Sequence, residues 1–194
     1  MYFLTGTNTF EGSSDLDLRP PEVQRSTMEF WLDECENCTY INEDIEKDNG
    51  IDKEYLKSEE YVNCDGMIFK EELAKKFYRH FKIMMKLKNY EKAYQSLLNA
   101  VWVCDDADDV ALTVKFRVWL DQIFGKLWKP DDEKMFVRHA DVLRRSGSFD
   151  EVIKRYSDFL SAEQIHNDII KFQLELSAKK DIRAYTVYDV QYNA

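Results

Sequence analysis

Phe77-Tyr78-Arg79-His80 and Phe136-Val137-Arg138-His139 are two copies of one pattern, offset by 59 residues. The match continues downstream in the same register. Ile83-Met84 answers Val142-Leu143, Lys88-Asn89 answers Gly147-Ser148, and Tyr90-Glu91-Lys92-Ala93 answers Phe149-Asp150-Glu151-Val152. Within each copy the apolar positions recur at three and four, the spacing of one helix face. Lys88-Asn89 and Gly147-Ser148 fall between the apolar runs, where a turn belongs. Two copies of a helical hairpin produce this signature, and a fixed internal offset is the mark of repeat architectures.

Working outward, the first hairpin pairs a helix over 69–87 with a helix over 90–104. Leu73, Phe77, Phe81, Met84 and Leu87 line one, and Tyr90, Ala93, Leu97, Ala100 and Val101 the other. Asp105-Asp106-Ala107-Asp108-Asp109 then sets carboxylates where a new helix would begin. Acids there complement the helix dipole and read as caps. A calcium loop would alternate its ligands over a longer stretch, with a central Gly and a distant Glu. Residues 110–128 are apolar on most sides, which predicts a helix buried between others. Lys129-Pro130-Asp131-Asp132-Glu133 closes it and opens the next. Further helices are expected at about 131–146, 149–161 and 162–179. Residues 182–192 are rich in Val, Thr and Tyr. They read as a terminal strand pairing with the N-terminal segment.

The series Tyr90, Ala93, Leu97, Ala100 resembles the second-helix positions of a tetratricopeptide unit: aromatic, small, large, small. Phe149, Val152, Tyr156 and Phe159 occupy the same places with larger groups. Tetratricopeptide units recur at about 34 residues, so the longer offset implies an extra helix between the hairpins. The expected fold is mostly α, with tetratricopeptide-like hairpins around a buried central helix and a small irregular or β N-terminal segment. Two regions follow: an acidic, partly irregular 1–66 and a helical 67–194.

The N-terminal region offers Tyr2-Phe3-Leu4 and the alternating 28–32 as short strands. Gly12-Ser13-Ser14 and Arg19-Pro20-Pro21 separate them as loop chemistry. A short helix is expected near 52–62, with a break at Asp65-Gly66. The chain's net charge of -10 lies in this region: residues 1–66 sum to -12 and 67–194 to +2. Such a balance excludes nucleic acid as the default partner, since phosphate binding needs a positive surface. No apolar run approaches spanning length, so no membrane is expected. Met1-Tyr2-Phe3-Leu4 passes at once to polar residues, which does not read as a signal peptide. With four cysteines, a reducing, cytoplasmic setting is the simplest reading.

In tetratricopeptide proteins the first helix of each hairpin lines the binding groove. Carried over by position, the resemblance assigns Lys75, Tyr78, Arg79, Lys82, Met85 and Lys86 from the first hairpin. From the second it assigns Lys134, Val137, Arg138, Asp141, Arg144 and Arg145. The set is mostly basic, which implies an acidic peptide or protein partner. Two other readings stand beside it: an ordinary solvated charged face, or a face on which the acidic N-terminal third docks, within the chain or across a homo-oligomer. His80 and His139 fall toward the hairpin interior, where packing outweighs proton transfer. No Ser-His-Asp pattern, Gly-rich phosphate loop or HExxH accompanies them. The carboxylates cluster in caps and in the acidic segment, so a non-enzyme is expected.

Cys35-Glu36-Asn37-Cys38 has the shape of a zinc knuckle, in which two thiolates grip one metal. A full site needs two more ligands. Cys64 and His166 are candidates, and a site shared across a dimer is another route. A thioredoxin-like role fits less well, because the pair does not open a helix in a βαβ unit. Cys104, in the Val101-Trp102-Val103 run, reads as core.

One wider resemblance rests on Ser14-Asp15-Leu16-Asp17-Leu18-Arg19-Pro20-Pro21, Trp31 and Cys35-Glu36-Asn37-Cys38-Thr39-Tyr40. Ala100-Val101-Trp102-Val103-Cys104-Asp105-Asp106 and Ala140-Asp141-Val142-Leu143-Arg144-Arg145 add to it. The chain resembles a set of uncharacterised bacterial proteins that pair a zinc-ribbon-like N-terminus with tetratricopeptide-like helices. That resemblance implies zinc at Cys35 and Cys38; in the family an upstream CxxC completes the ribbon, whereas this sequence holds a single CxxC, and Thr39 stands where the family's second half-knuckle has Gly. The expected function is a non-catalytic protein–protein interaction scaffold. The alternative is a zinc- or thiol-dependent regulator.

Overall fold

A computed structural model describes residues 12–127 and 132–193. It is mostly helical. Short 3-10 turns at Arg25–Phe30, Tyr55–Lys57 and Cys64–Gly66 accompany a two-stranded antiparallel sheet, β1 (Asp33–Glu34) and β2 (Ile41–Asn42). The helices are α1 (Glu59–Val62), α2 (Glu72–Lys86), α3 (Tyr90–Asp106) and α4 (Val110–Leu127). They continue with α5 (Glu133–Arg145), α6 (Phe149–Tyr156), α7 (Gln164–Ala178) and α8 (Val187–Asn193).

The offset of the sequence repeat is an offset of structure. α2 and α5 end at Lys86 and Arg145, and α3 and α6 begin at Tyr90 and Phe149, each pair 59 residues apart. Both turns close in one way. The Asn89 amide donates to the Met84 carbonyl at 2.9 Å and the Ser148 amide to the Leu143 carbonyl at 3.0 Å. The residue before each donor is left-handed, Lys88 at φ 58° and Gly147 at φ 83°. This is Schellman closure, which satisfies the last carbonyls of a helix. It recurs after α3, where the Asp109 amide reaches the Cys104 carbonyl at 2.9 Å with Asp108 at φ 52°. After α7, Lys180 plays the left-handed role at φ 54°.

The core has two clusters. Phe77, Phe81, Leu97, Val101 and Phe116 of α2–α4 form the first, with Met28, Leu32, Ile41 and Tyr61 from the N-terminal region packed among them. Tyr78 stacks on Phe116 with ring centroids 5.3 Å apart. Val137, Leu143, Tyr156, Ile170 and Val190 of α5–α8 form the second, and Leu16 joins it. The N-terminal region therefore shares its core with the helices.

Several expectations change. Residues 28–32 lie in and just beyond a 3-10 turn rather than a strand. The terminal strand is helix α8. Thr186 and Asp189 explain it: the Asp189 carboxylate accepts from the Thr186 amide at 2.7 Å, and the Thr186 hydroxyl from the Asp189 amide at 3.3 Å. That reciprocal bonding is a capping box, which starts a helix. Contact with the N-terminal segment does occur just before it, where Thr186 bridges Asp15 and the Leu16 amide donates to the Tyr185 carbonyl at 2.9 Å. α4 is not buried on most sides. It lies between α3 and α5 and leaves Val110 (67% exposed) and Val118 (41%) on an open face. Of the acidic run after α3, only Asp109 caps α4, accepting from the Leu112 amide at 3.3 Å. Asp105 and Asp106 end α3 instead, where the helix dipole opposes them and arginines hold them. The expected strand at 2–4 and the 128–131 connection lie outside the described residues. Among those residues, no helix is long and apolar enough to cross a membrane.

Candidate functional site

The residues assigned to a basic face do not share one surface. Arg144 is fully buried. It donates to Asp141 at 2.7 Å, to the Asp181 carbonyl at 2.6 Å and to Gln173. Arg145 bonds Asp105 at 2.8 Å and lies 3.7 Å from Asp17. Tyr78, Val137 and Asp141 are buried, and Tyr78 donates to Asp65. The arginines go inward because α7 closes over one side of α5, while Asp105 and Asp17 approach from the other. These acids are remote in sequence, so local helix periodicity gives no sign of them.

Three of the α2 cations, Arg79, Lys82 and Lys86, are met by the acidic N-terminal region, and Lys75 by its own helix. Arg79 pairs with Glu34 at 3.1 Å and lies over the Tyr61 ring at 5.5 Å. Lys82 pairs with Glu60 at 2.6 Å and Asp65 at 3.0 Å. Lys75 bonds Glu72 at 3.1 Å, and Lys86 sits over Tyr55 at 5.0 Å. Part of the first-hairpin face is thus covered from within the chain.

Asp17 anchors the same region from the other end. Its carboxylate accepts from Trp102 Nε1 at 2.8 Å and from the Arg19 amide at 3.2 Å. Burial, and next the charge of Asp141, push its carboxyl above the usual carboxylate range. Burial works the same way on Asp105, but Arg117 and Arg145 together hold that carboxyl below its ordinary value. Removing one ion from such a cluster leaves another buried and unpaired.

Lys134 and Arg138 lie elsewhere, on a groove of about 1350 Å³ between Trp31, α3 and the first half of α5. A second cavity of about 510 Å³ shares Leu18, Trp31, Gln95 and Arg138 with it and extends it toward Pro20 and Pro21. Five cations line the larger groove, Lys88, Lys92, Lys126, Lys134 and Arg138, against three acids, Glu43, Glu91 and Asp132. In a chain of net charge -10 the groove is a locally positive site. Apolar support comes from Trp31, Phe77 and Tyr94. Three buried polar atoms of groove residues have no hydrogen-bond partner among the described residues: His80 Nε2, Tyr94 Oη and Arg138 Nε. Native interiors rarely leave such atoms unmatched. Burial pushes the Tyr94 hydroxyl up, so it stays neutral. Burial likewise pulls the His80 imidazole down to about 4.

Only Lys134 and Arg138 of this groove come from the sequence-derived face. Tyr94, Gln95 and Asn99 were missed, although α3 carried a signal: polar Gln95, Ser96 and Asn99 interrupt an otherwise apolar stretch.

Cys35 and Cys38 sit in the β1–β2 turn. The Cys35 amide donates to the Tyr40 carbonyl at 2.9 Å and the Thr39 amide to the Cys35 carbonyl at 2.8 Å. Thr39 is left-handed at φ 57°, a conformation that glycine adopts at less cost. Amides of Asn37 and Cys38 facing the Cys35 sulfur hold its thiol below the usual range. A tetrahedral zinc site needs four ligands, of which Cys35 and Cys38 would make two. The two further candidates are engaged elsewhere. Cys64 is buried with its sulfur 3.7 Å from the Tyr61 carbonyl, and burial pushes its thiol up. His166 Nδ1 bonds Glu133 at 2.9 Å. Among the described residues no three His, Cys, Asp or Glu side chains gather as a metal site.

No protein-family model, curated protein or solved structure matches this chain.

Proposed function

We propose that the chain is a non-catalytic protein-interaction scaffold that takes an acidic peptide segment in the groove between Trp31, α3 and α5. The observation that carries this reading is the groove's lining: five cations against three acids, in a chain of net charge -10. Size supports a segment rather than a compact ligand. The groove's 1350 Å³ exceeds the roughly 300–1000 Å³ of small-molecule pockets. The tetratricopeptide-like hairpins agree with a binding role, and four free cysteines suit a reducing, cytoplasmic setting.

Affinity capture from native lysate tests the reading. Reversing Lys134 and Arg138 to Glu should remove the captured partner, while Lys75→Glu on α2 should keep it. Capture that survives the groove reversal defeats the proposal.

A second reading, zinc- or thiol-dependent regulation, is favoured by the amides that face the Cys35 sulfur. Metal analysis of protein purified without chelator decides it. Less than about one-tenth equivalent of zinc argues against a tight structural site.

A further inference from the structure

Two of the four thiols reach solvent, and they stand in one turn. Cys38 is exposed and Cys35 half-buried, whereas Cys64 is 2% exposed and Cys104 1%. Burial pushes the Cys104 thiol up to about 12 and raises that of Cys64, so both stay protonated and unreactive. In the β1–β2 turn the Cys38 thiol lies within hydrogen-bond reach of the Cys35 sulfur, and the Asn37 and Cys38 amides face the same sulfur. The frame around the pair is held on several sides. β1 and β2 pair at the base of the turn, Tyr61 Oη donates to the Thr39 carbonyl at 2.6 Å, and Arg79 holds Glu34 at 3.1 Å. Ile41, just beyond the turn, is fully buried. The two sulfurs are thus kept side by side at the surface while their strands are anchored in the core.

Resting on the thiol reading of this turn, we propose that Cys35 and Cys38 form a dithiol–disulfide exchange site for small, positively charged disulfides. Exchange starts at Cys38, the exposed sulfur. Its thiolate attacks one sulfur of the small disulfide, a bond forms between them, and the S–S bond of the small molecule breaks. The departing thiolate takes up a proton in place of the one Cys38 gave to solvent. The Cys35 thiolate then attacks the Cys38 sulfur and expels the second small thiolate, which is protonated in turn. Two protein thiols are oxidised to one disulfide, and one small disulfide is reduced to two thiols. In reverse, an incoming thiolate opens the bond at Cys38, and Cys35 leaves as a thiolate that the two amides receive. The charge preference comes from the turn itself. Asp33, Glu34 and Glu36 flank the pair and are exposed. Arg79 offsets Glu34, and Glu36 lies close enough for its charge to bear on the Cys35 sulfur. An anionic disulfide is repelled there, and a cationic one is drawn in.

Cystamine, a dication, and oxidised glutathione, an anion, are the probes. Each is added to the full native chain, and intact mass with peptide mapping follows the product. Cystamine should give a Cys35–Cys38 disulfide, seen as the loss of two hydrogens, with Cys64 and Cys104 still free. Dithiothreitol should reverse it. Oxidised glutathione should react several-fold more slowly, and both Glu36→Lys and added salt should narrow that gap. Cys35→Ser should stop at the mixed disulfide on Cys38. Stable adducts on both cysteines without the cross-link overturn the exchange site and leave two independent thiols to the regulatory reading. A rate ratio between the probes that neither Glu36→Lys nor salt moves overturns the charge preference. If neither thiol reacts in the folded chain, the thiol reading falls together with the proposal.

Discussion

Asp15 and His80 titrate in opposite senses, and each leaves a signature on stability. Burial, and next the charge of Asp17, raise the Asp15 carboxyl to about 6 against the pull of Arg25. The folded chain then binds this proton more tightly than the unfolded chain does. The Asp15 contribution is favourable at low pH and falls as pH rises through roughly 4 to 6. His80 is held near 4 by burial, below its unfolded value. Its contribution is present above about 6.5 and fades as pH falls through roughly 6.5 to 4. Asp15→Asn should therefore raise stability at pH 7.5 by about 2 kcal/mol with little gain near pH 4. Melting temperature against pH checks this, and an unchanged profile counts against the buried Asp15. Arg145→Ala should cost about 3 kcal/mol in denaturant unfolding, because Asp105 and Asp17 would lose their shared cation. A surface arginine would lose about 0–1 kcal/mol. At this scale the sequence was half legible. The inward histidines followed from helix register. The buried Arg144 and Arg145 did not, because Asp17, Asp105 and Gln173 meet them only after the chain has folded.

Helix ends decide the element scale. Lys88 and Gly147 hold equivalent left-handed positions, but only one is a glycine. A side chain there is strained by about 1 kcal/mol. Lys88→Gly should thus stabilise the chain by up to about that amount, less the added entropy of an unfolded glycine. A loss of stability on chemical denaturation would show that the turn does not close as described. The helices themselves were readable to within a few residues, since apolar spacing and turn residues agreed. Val, Thr and Tyr suggested a strand where Thr186 and Asp189 build a helix start. Composition misled there because a capping box spans four residues and fixes geometry, whereas strand preference depends on a neighbour to pair with. The open face of α4 was unreadable for a related reason. An all-round apolar helix looks buried, and only its neighbours determine which side stays exposed.

For the whole molecule, the acidic N-terminal region and the helical region are one packed unit. Glu34, Glu60 and Asp65 meet the cations of α2, and Leu16, Met28, Leu32 and Ile41 enter the two cores. The charge split between the halves was visible in the sequence, and so was the option that one half docks on the other. The groove left after that docking was not visible, because it needs Trp31, α3 and α5 brought together in space. That groove carries the functional proposal, and an acetylated, amidated hexa-aspartate peptide tests it most directly when followed by backbone amide shifts of the full chain. Shifts should concentrate at Tyr94, Gln95, Asn99 and Arg138 and spare Arg144 and Arg145. Shifts centred on the outer face of α2, or none at saturating peptide, would contradict the account.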